Sequence, residues 1–213
     1  MKRATILLAD DHAVVVEGLR RILDRPEFKV VGVVPDGRAL LQAAARLKPD
    51  LIVSDVAMPL LNGIDAAREI LASNRKTKII FLTMHPEVAY ATAALAAGAS
   101  GYVLKSAAGE ELIRAIREVL HERVYVSDAI AESVKRARET RPTKNRSPLD
   151  GLTGRQREVL QLLAEGRQAK EIAAVLHLSP KTVEFHKYRI MDALGVRTVA
   201  DLARYAVKHG IVT

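Results

Sequence analysis

The first 126 residues switch repeatedly between two periodicities. Short apolar runs rich in Val and Ile occur at 5–9, 29–34, 51–54, 78–82 and 101–104, each bounded by charges or turn residues. Runs of this length without alternation fit strands buried on both faces. Between them, apolar residues recur at helical spacing. Val15, Leu19, Ile22 and Leu23 mark such a stretch over 14–23, and 64–71, 87–97 and 110–120 follow the same rule. This alternation predicts a parallel sheet covered by helices on both faces. Right-handed crossovers then make it a five-stranded doubly wound α/β domain.

The pattern changes near residue 127. The stretch 127–151 includes KRARETRPTKNRSPLDG, which is charged, holds Pro142 and Pro148, and has few apolar residues after Val134. It reads as a linker with a helical start. From residue 153 onward only helical periodicity remains. Thr153 is placed to cap a helix, with Gln156 completing a capping box. Val159, Leu160, Leu162 and Leu163 form its apolar stripe, and Gly166 stops it. A second helix over 169–176 buries Ile172, Ala173 and Leu176. Ser179 and Pro180 open a third over 180–194, burying Val183, Ile190 and Leu194, and Gly195 ends it. A fourth spans 199–208. The expected division is an α/β domain over 1–121, a linker over 122–147 and an all-α four-helix domain over 148–213.

Composition narrows the class. At 213 residues, with 49% hydrophobic and 27% charged residues, the chain can build real cores. The longest uncharged run, 88–104, contains Gly98 and Gly101 and is shorter than the ~20 apolar residues of a membrane helix. With no cysteine, disulfides, zinc thiolates and thiol catalysis are excluded. No leader-like stretch is apparent, and a cytoplasmic protein is expected. Residues 1–126 carry 17 Lys/Arg against 15 Asp/Glu, and residues 127–213 carry 16 against 10, so +6 of the net +8 lies in the shorter part. That excess fits a nucleic-acid partner or simple solubility.

In an open parallel sheet the functional crevice lies at the carboxyl ends of the strands. Here those ends hold Asp10 and Asp11, Asp55, Thr83 and Lys105. Three clustered carboxylates repel one another, and a hard divalent cation such as Mg²⁺ relieves this. The metal and Lys105 would neutralise phosphate oxygens, and Thr83 would add a hydroxyl donor. Asp55, central and followed by a turn, is the candidate nucleophile. Asp10 and Asp11 are candidate metal ligands, with the Ala57 carbonyl beside them. Alone, each residue has a plainer reading. Asp11 suits a helix cap, Thr83 a strand and Tyr102 a core. His12 and His85 are left out of the site, because its oxygen-rich character does not call for nitrogen ligands.

The acidic pair Asp10-Asp11, the D-x-x-M-P-x-x-x-G run from Asp55 to Gly63, Thr83 and G-Y-V-L-K ending at Lys105 resemble the receiver domain of bacterial two-component response regulators. The resemblance covers residues 1–121. It implies sheet order 2-1-3-4-5. It implies phosphoryl transfer from a histidine kinase to Asp55, with Mg²⁺ bound by Asp10, Asp11 and Asp55. Thr83 and Tyr102 would be the switch pair, and Lys105 would contact the phosphoryl group. One departure is Ser106, where many receivers have proline after a cis bond.

The C-terminal helices form a helix-turn-helix, whose second member would enter the major groove. Lys181, Thr182, Lys187 and Arg189 suit phosphates, while Glu184, Phe185 and Tyr188 suit base edges. His186 is either a buried spacer or a DNA contact. The stretches L-T at 152–153, R-E-V-L at 157–160, K-E-I-A at 170–173, L-S-x-x-T-V at 178–183 and L-G-V at 194–196 resemble the LuxR-type helix-turn-helix of NarL/FixJ regulators. Gln156, Ala169 and Asp192 depart from the common pattern.

Together these features imply a phosphorylation-controlled, DNA-binding transcription regulator. A homodimer, formed on phosphorylation, would bind an inverted repeat. The alternatives are a phosphatase or phosphotransferase with an aspartyl-phosphate intermediate, and a constitutive DNA-binding regulator whose receiver only dimerises.

Overall fold

The computed structural model describes residues 3–140 and 148–212. The chain divides into two units, one ending at Thr140 and one starting at Arg141. In the first, strands and helices alternate: β1 (Ala4–Ala9), α1 (Ala13–Ile22), β2 (Phe28–Val34), α2 (Gly37–Leu47), β3 (Leu51–Ser54), α3 (Gly63–Ser73), β4 (Lys78–Thr83), α4 (Val88–Ala96), β5 (Gly101–Leu104), α5 (Glu110–Leu120), β6 (Tyr125–Val126) and α6 (Asp128–Thr140). The sheet is parallel throughout, in the order β2-β1-β3-β4-β5-β6.

Two cores sandwich the sheet, because successive residues of a strand face opposite ways. Ile6, Leu8, Val53, Ile80 and Val103 pack with Leu19 of α1 and with Leu112, Ile113, Ile116 and Val119 of α5. Leu7, Ile52, Phe81 and Tyr102 pack on the other side with Leu40 of α2, Ile70 of α3, and Ala91 and Ala94 of α4. Each fully buried large side chain contributes about 1.5–3 kcal/mol.

The architecture matches the expected doubly wound α/β fold, with three additions. Helix α2 forms where no helical stretch was singled out. Its start is set by Asp36, whose side chain accepts a hydrogen bond from Ala39 N. The sheet has a sixth strand, not five: Tyr125 and Val126 pair with Gly101 and Tyr102 on an otherwise open edge. Helix α6 then runs through much of the expected linker over 122–147. Ile130 and Val134, one helical turn apart, join the core that contains α4. The N-terminal part of that linker is therefore part of the first unit, while 141–147 lie outside the described residues.

The second unit comprises α7 (Gly154–Ala164), α8 (Ala169–Leu176), α9 (Pro180–Leu194) and α10 (Val199–Lys208). Its boundaries follow local chemistry. Thr153 Oγ1 accepts from Gln156 N, and Gln156 Oε1 accepts from Thr153 N at 2.8 Å. Ser179 Oγ accepts from Thr182 N at 3.0 Å, with Pro180 in the first turn. Gly195 closes α9 at φ 66°, a conformation glycine adopts without penalty. Val159, Leu160, Leu162, Ile172, Leu176, Val183, Ile190 and Leu202 are buried. Leu194 is only half-buried rather than core, because it lies in the last turn of α9. Among the described residues, no helix is long and apolar enough to cross a membrane.

Candidate functional site

Because the strands are parallel, their carboxyl ends meet at one edge of the sheet. Asp10 follows β1, Asp55 follows β3, Thr83 ends β4, and Lys105 follows β5. Asp10 is 4% exposed and Asp55 7%. Burying charge at this depth is costly unless it is paired. Lys105 supplies the pairing: its Nζ lies 2.5 Å from Asp55 Oδ2 and 2.8 Å from Asp10 Oδ2. The remaining oxygens have backbone donors. Asp55 Oδ1 accepts from Val56 N at 2.6 Å, and Asp10 Oδ1 from His12 N at 2.9 Å. Burial pushes the Asp55 carboxyl above its usual range; Lys105 opposes the shift and Asp10 reinforces it. Burial alone would lower the Lys105 ammonium, but its bonds to Asp10 and Asp55 outweigh that and hold it above its ordinary value.

Ligand atoms of Asp10, Asp11, His12 and Asp55 lie within 4.8 Å of one another. The three aspartates thus form the acidic cluster expected from the strand ends. His12, left out by sequence reasoning, belongs to it: its Nδ1 lies 2.9 Å from Asp11 Oδ1 and 3.2 Å from Asp10 Oδ1. The cue was adjacency to the acidic pair, but the ring direction is set by the turn into α1. Asp11 does not cap α1. The N-cap position is His12, with no side-chain capping bond.

Gly63 explains the spacing that follows Asp55. Its N–H donates to Val56 O at 2.8 Å, folding the turn back on itself. A Cβ at Gly63 would lie 2.1 Å from the Asp55 carbonyl oxygen. Ala57 lies within this turn and is buried.

Thr83 and Tyr102 are both fully buried and both reach the loop after β4. Thr83 Oγ1 accepts from His85 N at 3.2 Å, and the Tyr102 hydroxyl donates to His85 O at 2.8 Å. Burial pushes the Tyr102 phenol far up, so it remains a donor. His85 contributes its backbone here. After Lys105, residues Lys105–Ala107 make a short 3-10 turn. No cis peptide bond occurs among the described residues.

In the second unit, α9 buries Val183 and Ile190 and turns the opposite face outward. Lys181 and Arg189 are exposed; Phe185 is 57% and Tyr188 64% exposed. The Arg189 guanidinium lies 5.5 Å from the Phe185 ring centroid. Thr182 is half-buried, its Oγ1 lying 2.8 Å from Ser179 Oγ. Lys187 differs from expectation. Its side chain is only 18% exposed and is ion-paired with Glu184. Its Nζ also lies 5.1 Å from the Tyr188 ring centroid. His186 is half-buried with a buried Nδ1, on the flank of the inner face.

Comparison with known proteins places this architecture. Residues 6–117 match the response regulator receiver domain, and residues 150–206 match the bacterial regulatory proteins of the luxR family. The chain belongs to the response regulators.

The chain is 36% identical over 208 residues to response regulator GacA of Pseudomonas aeruginosa, covering 97% of each. It is 35% identical over 207 residues to response regulator UvrY of Escherichia coli, covering 97% of this chain and 94% of the other. The solved RcsB response regulator of Salmonella typhimurium aligns over 98% of this chain and 99% of its own, with 30% identity and a TM-score of 0.66. A structure of RcsB from Salmonella enterica bound to a promoter in the presence of a phosphomimetic has 29% identity and a TM-score of 0.65, covering 97% of this chain and all of its own. This response regulator therefore joins a receiver to a luxR-type DNA-binding domain. It is a transcription regulator rather than an enzyme, so the phosphatase or phosphotransferase alternative falls. A receiver takes its signal from a sensor kinase.

Proposed function

We propose that Asp55 is the phosphoacceptor, and that its phosphorylation controls DNA binding through α9. The observation that carries this reading is the half-buried Lys105 ammonium bridging the buried Asp55 and Asp10. Asp55 Oδ1 accepts from Val56 N–H and Oδ2 from Lys105, so Oδ2 attacks phosphorus as the Lys105 ammonium moves from it to the incoming phosphoryl oxygens. The new O–P bond forms as the N–P bond of the kinase phosphohistidine breaks, and the electron pair returns to the imidazole. Lys105, already beside Oδ2, neutralises the added oxygens. The Thr83 hydroxyl is the second donor of the site, and Thr83 with Tyr102 forms the switch pair on the loop after β4.

The donor set fits a hard cation, since carboxylate oxygens dominate the cluster. Asp10, Asp11 and Asp55, with the Ala57 carbonyl, would hold Mg²⁺, which would supply charge neutralisation at the incoming phosphoryl group. On α9, Lys181, Thr182 and Arg189 would meet phosphates, and Lys187 would do so once it leaves Glu184. Glu184, Phe185 and Tyr188 would face base edges. A two-fold homodimer on an inverted repeat, in the cytoplasm, completes the reading. The division of the chain follows: a receiver, a connecting segment and a DNA-binding unit from residue 148.

Acetyl phosphate with Mg²⁺ and intact-mass measurement tests the acceptor. The parent chain gains one phosphoryl group, and Asp55→Asn gains none. Equal gain by both refutes the assignment.

A further inference from the structure

Strand β6 ends after two residues, and the way it ends is unusual. Ser127 N donates to Tyr102 O at 2.8 Å, continuing the ladder begun by Tyr125 N on Ser100 O. In a parallel ladder the next bond would run from Leu104 N to the Ser127 carbonyl. That carbonyl is already used: it accepts from Ile130 N and Ala131 N, the first turn of α6. The Ser127 hydroxyl takes its place, accepting from Leu104 N at 3.2 Å. The same hydroxyl donates to Glu111 Oε1 at 2.8 Å. Glu111 Oε1 also accepts from the Tyr125 hydroxyl at 3.0 Å and from Asp128 N at 3.1 Å. One buried serine and one carboxylate oxygen thus join β5, α5 and the start of α6.

The strand held this way carries Tyr102 and precedes Lys105. Helix α6 is held to the same region a second time. Ile130 and Val134 share a core with Tyr102, Leu104, Ala91 and Ala94. Beyond α6 the chain leads to the DNA-binding unit. From this arrangement we infer that Ser127 and Glu111 form a mechanical junction that transmits displacement of β5 to α6, making α6 the output element of the receiver. The inference rests on the phosphoacceptor reading of Asp55. A movement of Tyr102 or Lys105 shifts the backbone of β5. Ser127, bonded to that backbone at both Tyr102 and Leu104, must follow or break its bonds. Following tilts the first turn of α6, whose N–H groups hang on the Ser127 carbonyl and on Glu111. Ser127 and Glu111 are positioning residues, touching neither the phosphoryl group nor the metal cluster.

Hydrogen exchange on the full chain, with and without acetyl phosphate and Mg²⁺, tests the junction, with intact mass reporting phosphorylation. In the parent, phosphorylation changes exchange of the α6 amides by at least about threefold, as expected when a helix start loses or gains its anchor. Ser127→Ala and Glu111→Met, which removes the accepting oxygen, still gain one phosphoryl group, but their α6 amides no longer respond. Glu111→Met keeps the side-chain length without the acceptor, so it carries the test if Ser127→Ala fails to fold by circular dichroism. A phosphorylated parent with unchanged α6, or full responses in both variants, overturns the inference and leaves the phosphoacceptor reading intact. No mass gain in the parent overturns that reading, and the inference with it.

Discussion

Lys105→Met replaces the ammonium between Asp10 and Asp55 with a neutral side chain of similar length. The consequences can be worked from the geometry. One cation serves two buried carboxylates, at 2.5 and 2.8 Å. Removing one partner of a buried ion pair costs about 3–5 kcal/mol, because the charge left behind is uncompensated. The variant has one escape: Asp55, already raised by burial, can take up a proton. Each unit of pKa shift costs about 1.4 kcal/mol, so protonation limits the loss. A loss of about 3 kcal/mol at pH 7 without metal is expected. The sign with pH follows. A raised Asp55 means the folded state holds its proton at pH values where the unfolded chain has released it. Stability then falls as pH rises through the window above the ordinary carboxylate pKa, and without Lys105 that window reaches higher. The deficit of Lys105→Met therefore shrinks on acidification. Mg²⁺ at ten times its dissociation constant stabilises a binding form by about 1.4 kcal/mol, in parent and variant alike, so the deficit narrows with the ion only as far as the variant binds it more tightly. Hydrogen exchange at Leu8, Val53, Ile80 and Val103 reads opening of the first unit alone. A deficit under about 1 kcal/mol at pH 7, or one that grows on acidification, refutes the reasoning.

Other expectations follow from the same geometry. Asp10→Ala and Asp11→Ala each weaken Mg²⁺ binding at least tenfold, about 1.4 kcal/mol, read by calorimetric titration. Gly63→Ala forces its Cβ against the Asp55 carbonyl and costs about 1–3 kcal/mol in chemical denaturation, with slower phosphorylation by acetyl phosphate. On random DNA across a salt series, Arg189→Ala lowers the salt slope by about 1. Lys187→Ala lowers it by less, because Glu184 already compensates that charge; Glu184→Ala raises non-specific affinity. Equal slopes for Arg189→Ala and Lys187→Ala would contradict the pairing.

Much of this protein was legible along the chain because its signals are local. Periodicity marks a strand or helix within a few residues, and Thr153, Gln156, Ser179, Pro180 and Gly195 punctuate the second unit through bonds to near neighbours. The acidic cluster was legible for a topological reason: a parallel sheet brings every strand end to one edge, so Asp10, Asp55, Thr83 and Lys105 had to gather there. Tertiary structure decided what depends on partners distant in sequence or on the direction of a side chain. Strand β6 is two residues long and exists because β5 offers an open edge. Helix α6 carries a modest stripe, Ile130 and Val134, whose burial depends on the core beside α4. The ring of His12 joins the cluster only through the turn into α1, and Glu184 takes the charge of Lys187 only through rotamers that sequence spacing permits but does not impose. Gly63 lies beside Asp55 because the chain doubles back, and that closeness leaves no room for a Cβ.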